Sequence, residues 1–93
     1  MLGLKMLFQM EKDPVITSDE MAIKLIEEIQ TIVSSNISLC YLKLDMPHEA
    51  IRYAKQALEK KPDYTKASYR MSLAYIKIGE LDRARELLQT IED

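Results

Sequence analysis

The stretch YLKLDMPHEA at residues 41–50 returns 34 residues later as YIKIGELDRA at residues 75–84. Each segment begins with tyrosine and ends with alanine, and Asp45 of the first becomes Gly79 in the second. An aromatic residue followed by small residues at this period is typical of a helix–turn–helix repeat. A single unit leaves one apolar face uncovered, so we expect the units to stack on one another.

Hydrophobic periodicity in the first half of the chain predicts a short helix and then an unusually long one. The spacing of apolar residues predicts the short helix at residues 2–11. It should end before Pro14, which pushes the preceding residue out of helical geometry. Thr17 and Glu20 fit a capping box, so the long helix is expected to begin near Ser18. Nothing interrupts its pattern before Asp45, which gives about 27 residues and a length of about 40 Å. The apolar stripe that we expect to be buried comprises Ala22, Ile26, Ile29, Val33, Ile37, Cys40 and Leu44.

Three further helices are expected in the second half of the chain. The first begins at Pro47, whose missing N–H costs nothing in a first turn, and it carries a stripe of alanines for close helix approach. The second has its cap at Asp63 or Thr65, and Gly79 fits the left-handed residue that often follows a helix end. The third runs over about residues 80–91. Their expected core residues are Ala50, Ala54, Ala57, Ala67, Met71, Ala74, Tyr75, Ile78, Leu81, Ala84, Leu88 and Ile91.

Composition restricts the function classes. The chain has 93 residues, a hydrophobic content of 47% and a formal net charge of −2, so a generally basic nucleic-acid binder is excluded. The apolar run at residues 1–10 is too short to span a membrane. The single cysteine, Cys40, cannot form an internal disulfide, which favours a reduced, intracellular setting, and we expect a cytoplasmic protein.

No catalytic motif is visible in the sequence. We find no glycine-rich phosphate loop, no metal-ligand cluster and no nucleophile motif. Cys40 is expected to act as a small hydrophobic residue on the long helix. The one histidine, His48, is expected at an exposed helix start. We therefore expect no enzymatic activity and no cofactor.

Two segments carry a more specific resemblance. The segments NISLCYLKL at residues 36–44 and KASYRMSLAYIKIGELDRARELL at residues 66–88 resemble the tetratricopeptide repeat (TPR) domain of immunophilin-type co-chaperones. The resemblance implies an all-α solenoid of antiparallel helix–turn–helix repeats, with about five helices here. It divides the single, partial domain into a first-repeat remnant with an extension at 1–30, one repeat at 31–64 and one at 65–93.

The resemblance also implies a partner and a site. These co-chaperones bind the acidic C-terminal tail of heat-shock chaperones through a carboxylate clamp, and the matching residues here are Asn36, Lys66 and Arg70. Asparagine and arginine provide directed donors for a carboxylate, and lysine adds a mobile charge. Helical spacing places four further residues on the same two faces of this peptide groove: Leu39, Lys43, Leu73 and Lys77.

The chain departs from the family pattern at its beginning. The family draws another lysine and asparagine of its clamp from the first helix of the first repeat, and no residue here matches them. Lys66 and Arg70 alone also fit an ordinary solvated basic face. The alternative function is therefore a structural or assembly module that binds no peptide tail.

Incomplete stacking predicts self-association. Without a preceding helix, the apolar residues of the short helix and of the early long helix lack partners, as do those of the last helix. Exposed apolar patches of this kind usually mark an interface, and we expect a two-fold dimer. The residues concerned are Leu4, Leu7, Phe8, Met21, Leu25, Ile29, Ile32, Leu87, Leu88 and Ile91.

Overall fold

The computed structural model describes residues 19–92, and they form four α-helices. These are α1 (Glu20–Lys43), α2 (Pro47–Lys60), α3 (Thr65–Lys77) and α4 (Leu81–Glu92). Helix α1 packs on α2, α2 packs on α3, α3 packs on α4, and α1 and α3 also touch each other. The predicted all-α repeat architecture is confirmed. The helix expected at residues 2–11 and the capping residue Thr17 lie outside the described residues.

Helix α1 has 24 residues, the longest of the four, and begins at Glu20. Asp19 is its N-cap: the carboxylate Oδ1 accepts hydrogen bonds from the backbone N–H groups of Met21 at 2.9 Å and Ala22 at 3.5 Å. The helix thus begins two residues after the predicted Ser18, and the prediction of Thr17 as its capping residue is wrong. A short aspartate side chain satisfies the free N–H groups of the first turn just as well.

The buried face of α1 is more polar than the apolar stripe predicted. Ile26 and Ile37 are buried as expected, but Cys40 and Leu44 are exposed. The remaining buried residues of α1 are Gln30, Thr31, Ser34, Ser35 and Ser38. Small hydroxyl side chains allow a neighbouring helix to approach closely and still satisfy their own polar atoms. The Ser38 hydroxyl, for example, donates to the Ala50 carbonyl of α2 at 2.7 Å.

Helices α2 and α3 supply most of the apolar core. The alanine stripe of α2 is completely buried, and Ala67, Met71, Ala74 and Tyr75 of α3 are buried with it, whereas the predicted core residue Ile78 follows α3 and is only half-buried. The core cluster comprises Ala50, Ile51, Ala54, Met71, Ala74, Tyr75 and Ala84. In α4 the prediction is wrong for Leu81, which is exposed, and Leu88 and Ile91 are only half-buried. No described element covers the outer side of α4, so Ala84 is its one buried residue within the described range.

The turn from α1 to α2 and the turn from α3 to α4 both use the left-handed backbone conformation, at equivalent positions. Asp45 follows α1 with φ of 58°, and Gly79 follows α3 with φ of 82°, as the glycine there predicted. Pro47 occupies the first turn of α2, as expected. The predicted cap of α3 is wrong, because Tyr64 is the N-cap and makes no side-chain capping bond.

Candidate peptide-binding site

The structure brings Asn36 and Arg70 into contact across the α1–α3 boundary. Arg70 donates from Nη1 to Asn36 Oδ1 at 3.2 Å and to Ser35 Oγ at 2.8 Å. Ser35 is completely buried, Arg70 is half-buried and Asn36 is exposed. The contact arises because α1 and α3 belong to successive repeats, so residues one period apart lie side by side.

The charge of Arg70 is not neutralised within this cluster. Both recorded acceptors, the serine hydroxyl and the asparagine amide, are neutral oxygens. No carboxylate of residues 19–92 forms an ion pair with the guanidinium. An arginine carries five N–H donors in a planar fork, so donors remain for a ligand. The arrangement orients a positive charge at the surface and leaves it available to an anion.

The other predicted lysines are exposed but differ in their contacts. Lys66 lies one helical turn before Arg70 on α3 and is exposed, as is Lys43 near the end of α1. Lys77 is engaged: its Nζ lies 3.2 Å from Asp45 Oδ1. The structure does not bring Lys66 into hydrogen-bond contact with Asn36 or Arg70.

The two predicted leucines of the site are partly buried. Leu39 on α1 and Leu73 on α3 are both half-buried, and each follows a polar site residue by three positions. Tyr69 and Ile76 on α3 are exposed, but Ile76 lines a pocket with Ala84 and Leu88 of α4.

We call this surface the α1–α3 groove. It is defined by the seven predicted residues together with Ser35. Its predicted members are Asn36, Leu39, Lys43, Lys66, Arg70, Leu73 and Lys77. Basic and amide groups together with partly exposed leucines suit an extended peptide that carries a carboxylate.

Polar and aromatic contacts between α1 and α2 form a separate cluster. The rings of Tyr41 and Tyr53 stack with centroids 5.5 Å apart, and the Arg52 guanidinium lies 4.8 Å from the Tyr53 centroid. Arg52 also pairs with Glu49 at 2.7 Å, and this hydrogen bond raises the pKa of the arginine. Since the carboxylate already occupies Arg52, this cluster is a weaker anion site than Arg70.

The described residues offer few other sites. Among residues 19–92, no group of three His, Cys, Asp or Glu side chains could hold a metal ion. Within the same range, no helix is long and apolar enough to cross a membrane. Cys40 and His48 are both exposed, and they lie on different helices.

Stacked antiparallel helix pairs with a mixed basic and apolar groove define a helical-repeat module for protein–protein interaction. The family model of the tetratricopeptide repeat matches residues 41–93. The chain belongs to the tetratricopeptide repeat family.

Several relatives of the chain are immunophilin-type proteins. The chain is 39% identical over 64 residues to the rat "inactive peptidyl-prolyl cis-trans isomerase FKBP6", covering 69% of this chain and 20% of the relative. It is 33% identical over 75 residues to the Arabidopsis thaliana "peptidyl-prolyl cis-trans isomerase PASTICCINO1", covering 81% of this chain and 12% of the relative. It is also 31% identical over 62 residues to the human "FK506-binding protein-like", covering 67% and 18%.

These matches confirm the resemblance to immunophilin TPR domains. The chain spans only a fifth or less of the length of the curated relatives it matches. No solved structure matches the chain.

Proposed function

We propose that this chain binds the acidic C-terminal peptide of a heat-shock chaperone, with Asn36, Lys66 and Arg70 as a partial carboxylate clamp. The observation that carries the proposal is the state of Arg70. Its guanidinium is fixed by two neutral oxygens and paired with no described carboxylate. Such a group gains most from an incoming anion, because its orientation is set before the ligand arrives.

The chemistry of the groove indicates how the peptide would be held. Arg70 and the Asn36 amide would donate to the terminal carboxylate, and hydrogen bonds to charged groups contribute about 1.5–3 kcal/mol each. Lys66 would add a less directional charge one turn away. Leu39 and Leu73 would contact an aliphatic side chain next to the carboxylate.

Fluorescence anisotropy with a labelled acidic pentapeptide ending in Val-Asp tests this function. We expect saturable binding at sub-millimolar concentration, and Arg70→Ala should weaken it by about 10-fold or more. Arg85→Ala is the matched control, because it removes the same charge from the exposed face of α4. Binding should weaken at high salt. Equal affinities for the wild type and Arg70→Ala would contradict the proposal.

A second function, self-association, is favoured by an exposed apolar stripe on α1. Met21 is 81% exposed and Leu25 is 58% exposed, and Ile32 continues the same helical face. Ile29, included in the sequence prediction, is half-buried. Burying such residues against a second copy contributes about 25 cal/mol per Å² of apolar surface. We propose a homodimer that uses this stripe.

Light scattering after size exclusion tests the dimer. The wild type should run as a dimer at high micromolar concentration, and Leu25→Glu should shift it to monomer. Leu44→Glu is the control, because Leu44 is equally exposed, at 66%, but lies at the other end of α1. Lys66→Ala should leave assembly unchanged. A wild-type monomer throughout the concentration range would refute the dimer.

We also propose that the chain has no catalytic role and acts in the cytoplasm. TPR domains are interaction modules, and the rat relative is named an inactive isomerase. A peptidyl-prolyl isomerase assay should give background turnover only. Fractionation of cells that express the chain should recover it in the cytoplasm.

A further inference from the structure

An ion pair occupies the end of the α1–α3 groove that lies beyond Arg70. Lys77 Nζ lies 3.2 Å from Asp45 Oδ1, and the two side chains are 54% and 77% exposed. Asp45 belongs to the turn after α1, and Lys77 belongs to the last turn of α3. A carboxylate of the chain itself therefore forms an ion pair with one of the lysines of the groove.

The turn does not require this carboxylate. Asp45 adopts the left-handed conformation, with φ of 58°, which is sterically unfavourable for most side chains. Gly79 fills the equivalent position of the next repeat with φ of 82°. Glycine thus satisfies the backbone requirement of this turn, and the aspartate side chain adds only its bond to Lys77.

The spacing along α3 relates this ion pair to the ligand. Lys77 lies seven residues beyond Arg70, or about 10 Å along the helix axis. An extended peptide advances about 3.3 Å per residue. If the terminal carboxylate of a peptide binds Arg70 and the peptide chain runs toward Lys77, the residue three positions before the last one reaches that lysine.

We propose that Asp45 is a built-in competitor that prevents Lys77 from binding a second acidic group of the ligand. The inference rests on the proposed peptide binding at Arg70. The groove then selects a peptide for its terminal carboxylate, and an acid three residues earlier adds little affinity. An exposed ion pair is weak. An acidic side chain of the ligand must displace Asp45 to reach Lys77, so its net contribution to binding affinity is small.

Two peptides and three proteins test this inference by isothermal titration. The peptides are acetyl-Ala-Glu-Ala-Val-Asp and acetyl-Ala-Gln-Ala-Val-Asp, which differ only in the acid expected at Lys77. The wild type should bind them within about twofold of each other. Asp45→Gly should bind the Glu peptide about two- to fivefold more tightly and the Gln peptide unchanged. Adding Lys77→Ala to Asp45→Gly should remove the gain.

Asp45→Asn provides a second variant, because asparagine tolerates the left-handed conformation and carries no charge. It should reproduce the selective gain for the Glu peptide. If both peptides bind the wild type and neither variant changes their ratio, the competitor role of Asp45 is overturned while peptide binding stands. If neither peptide binds any of the proteins, the proposed peptide binding fails and this inference fails with it.

Discussion

At the scale of single residues, the buried hydroxyl of Ser35 decides how Arg70 is presented. Ser35 is fully buried, and its Oγ accepts a hydrogen bond from Arg70 at 2.8 Å, shorter than the 3.2 Å bond to Asn36. A neutral acceptor below the guanidinium fixes its position without cancelling its charge. Ser35 is therefore expected to act as a positioning residue for the proposed clamp.

Replacing Ser35 with alanine should weaken peptide binding about two- to tenfold, because one net hydrogen bond is worth about 0.5–1.5 kcal/mol. The measurement is the affinity for a peptide with a free terminal carboxylate and for the same peptide with a terminal amide. Ser35→Ala should reduce only the first affinity. Ser34→Ala is the control, because Ser34 is equally buried but does not contact Arg70. Equal losses for both peptides would indicate a purely structural role.

The sequence predicted part of this site and missed part of it. The family resemblance assigned Asn36 and Arg70 to one site, and their side chains lie 3.2 Å apart in the structure because stacked repeats align equivalent positions. It could not show Ser35 as the second acceptor, because neighbouring serines on one helix differ only in the direction they face. It also could not show that Lys77 is already paired with Asp45.

At the scale of helices, the residues at which each helix begins and ends are easier to predict than the face that it buries. The ends of all four described helices fall within one or two residues of the pattern-based prediction, because Pro47, Gly79 and the turn at Asp45 leave few alternatives. The buried face of α1 was harder, because serines are buried there while Cys40 and Leu44 are exposed. The buried face of α1 therefore combines Ile26 and Ile37 with small serines, one of which, Ser38, donates a hydrogen bond to α2.

Substitutions at Gly79, in the turn after α3, test how much its backbone conformation contributes to the free energy of unfolding. A Cβ added at Gly79 would meet nothing within 4 Å, so Gly79→Ala introduces no clash with neighbouring atoms. Its φ of 82° is nevertheless unfavourable for alanine, and the free energy of unfolding should fall by about 1–2 kcal/mol. Urea denaturation measures the change. Gly79→Asn should cost less, because asparagine tolerates this conformation, and equal losses for both variants would contradict the explanation.

At the scale of the whole molecule, burial is concentrated in the middle of the stack. The first buried residue of α1 is Ile26, so the preceding residues 20–25 contribute no buried side chain. Helix α4 contributes only Ala84 within its described side chains. In a repeat protein each unit is stabilised mainly by its neighbours, so both ends of the described stack should open at lower free energy than its centre.

Hydrogen exchange at low protein concentration should show this gradient. Amides of residues 24–29 in α1 and 87–91 in α4 should exchange faster than those of residues 34–40 in α1 and 71–77 in α3.

Raising the protein concentration adds a test of the dimer, because a second copy bound to Met21 and Leu25 would protect residues 24–29 and leave residues 87–91 unchanged. Leu25→Glu should abolish that added protection, whereas Leu44→Glu should keep it. Slow exchange in both terminal regions at low concentration would contradict the gradient. A gradient that is present but independent of concentration would separate the two ideas, because it supports uneven stability of the stack and contradicts self-association through α1.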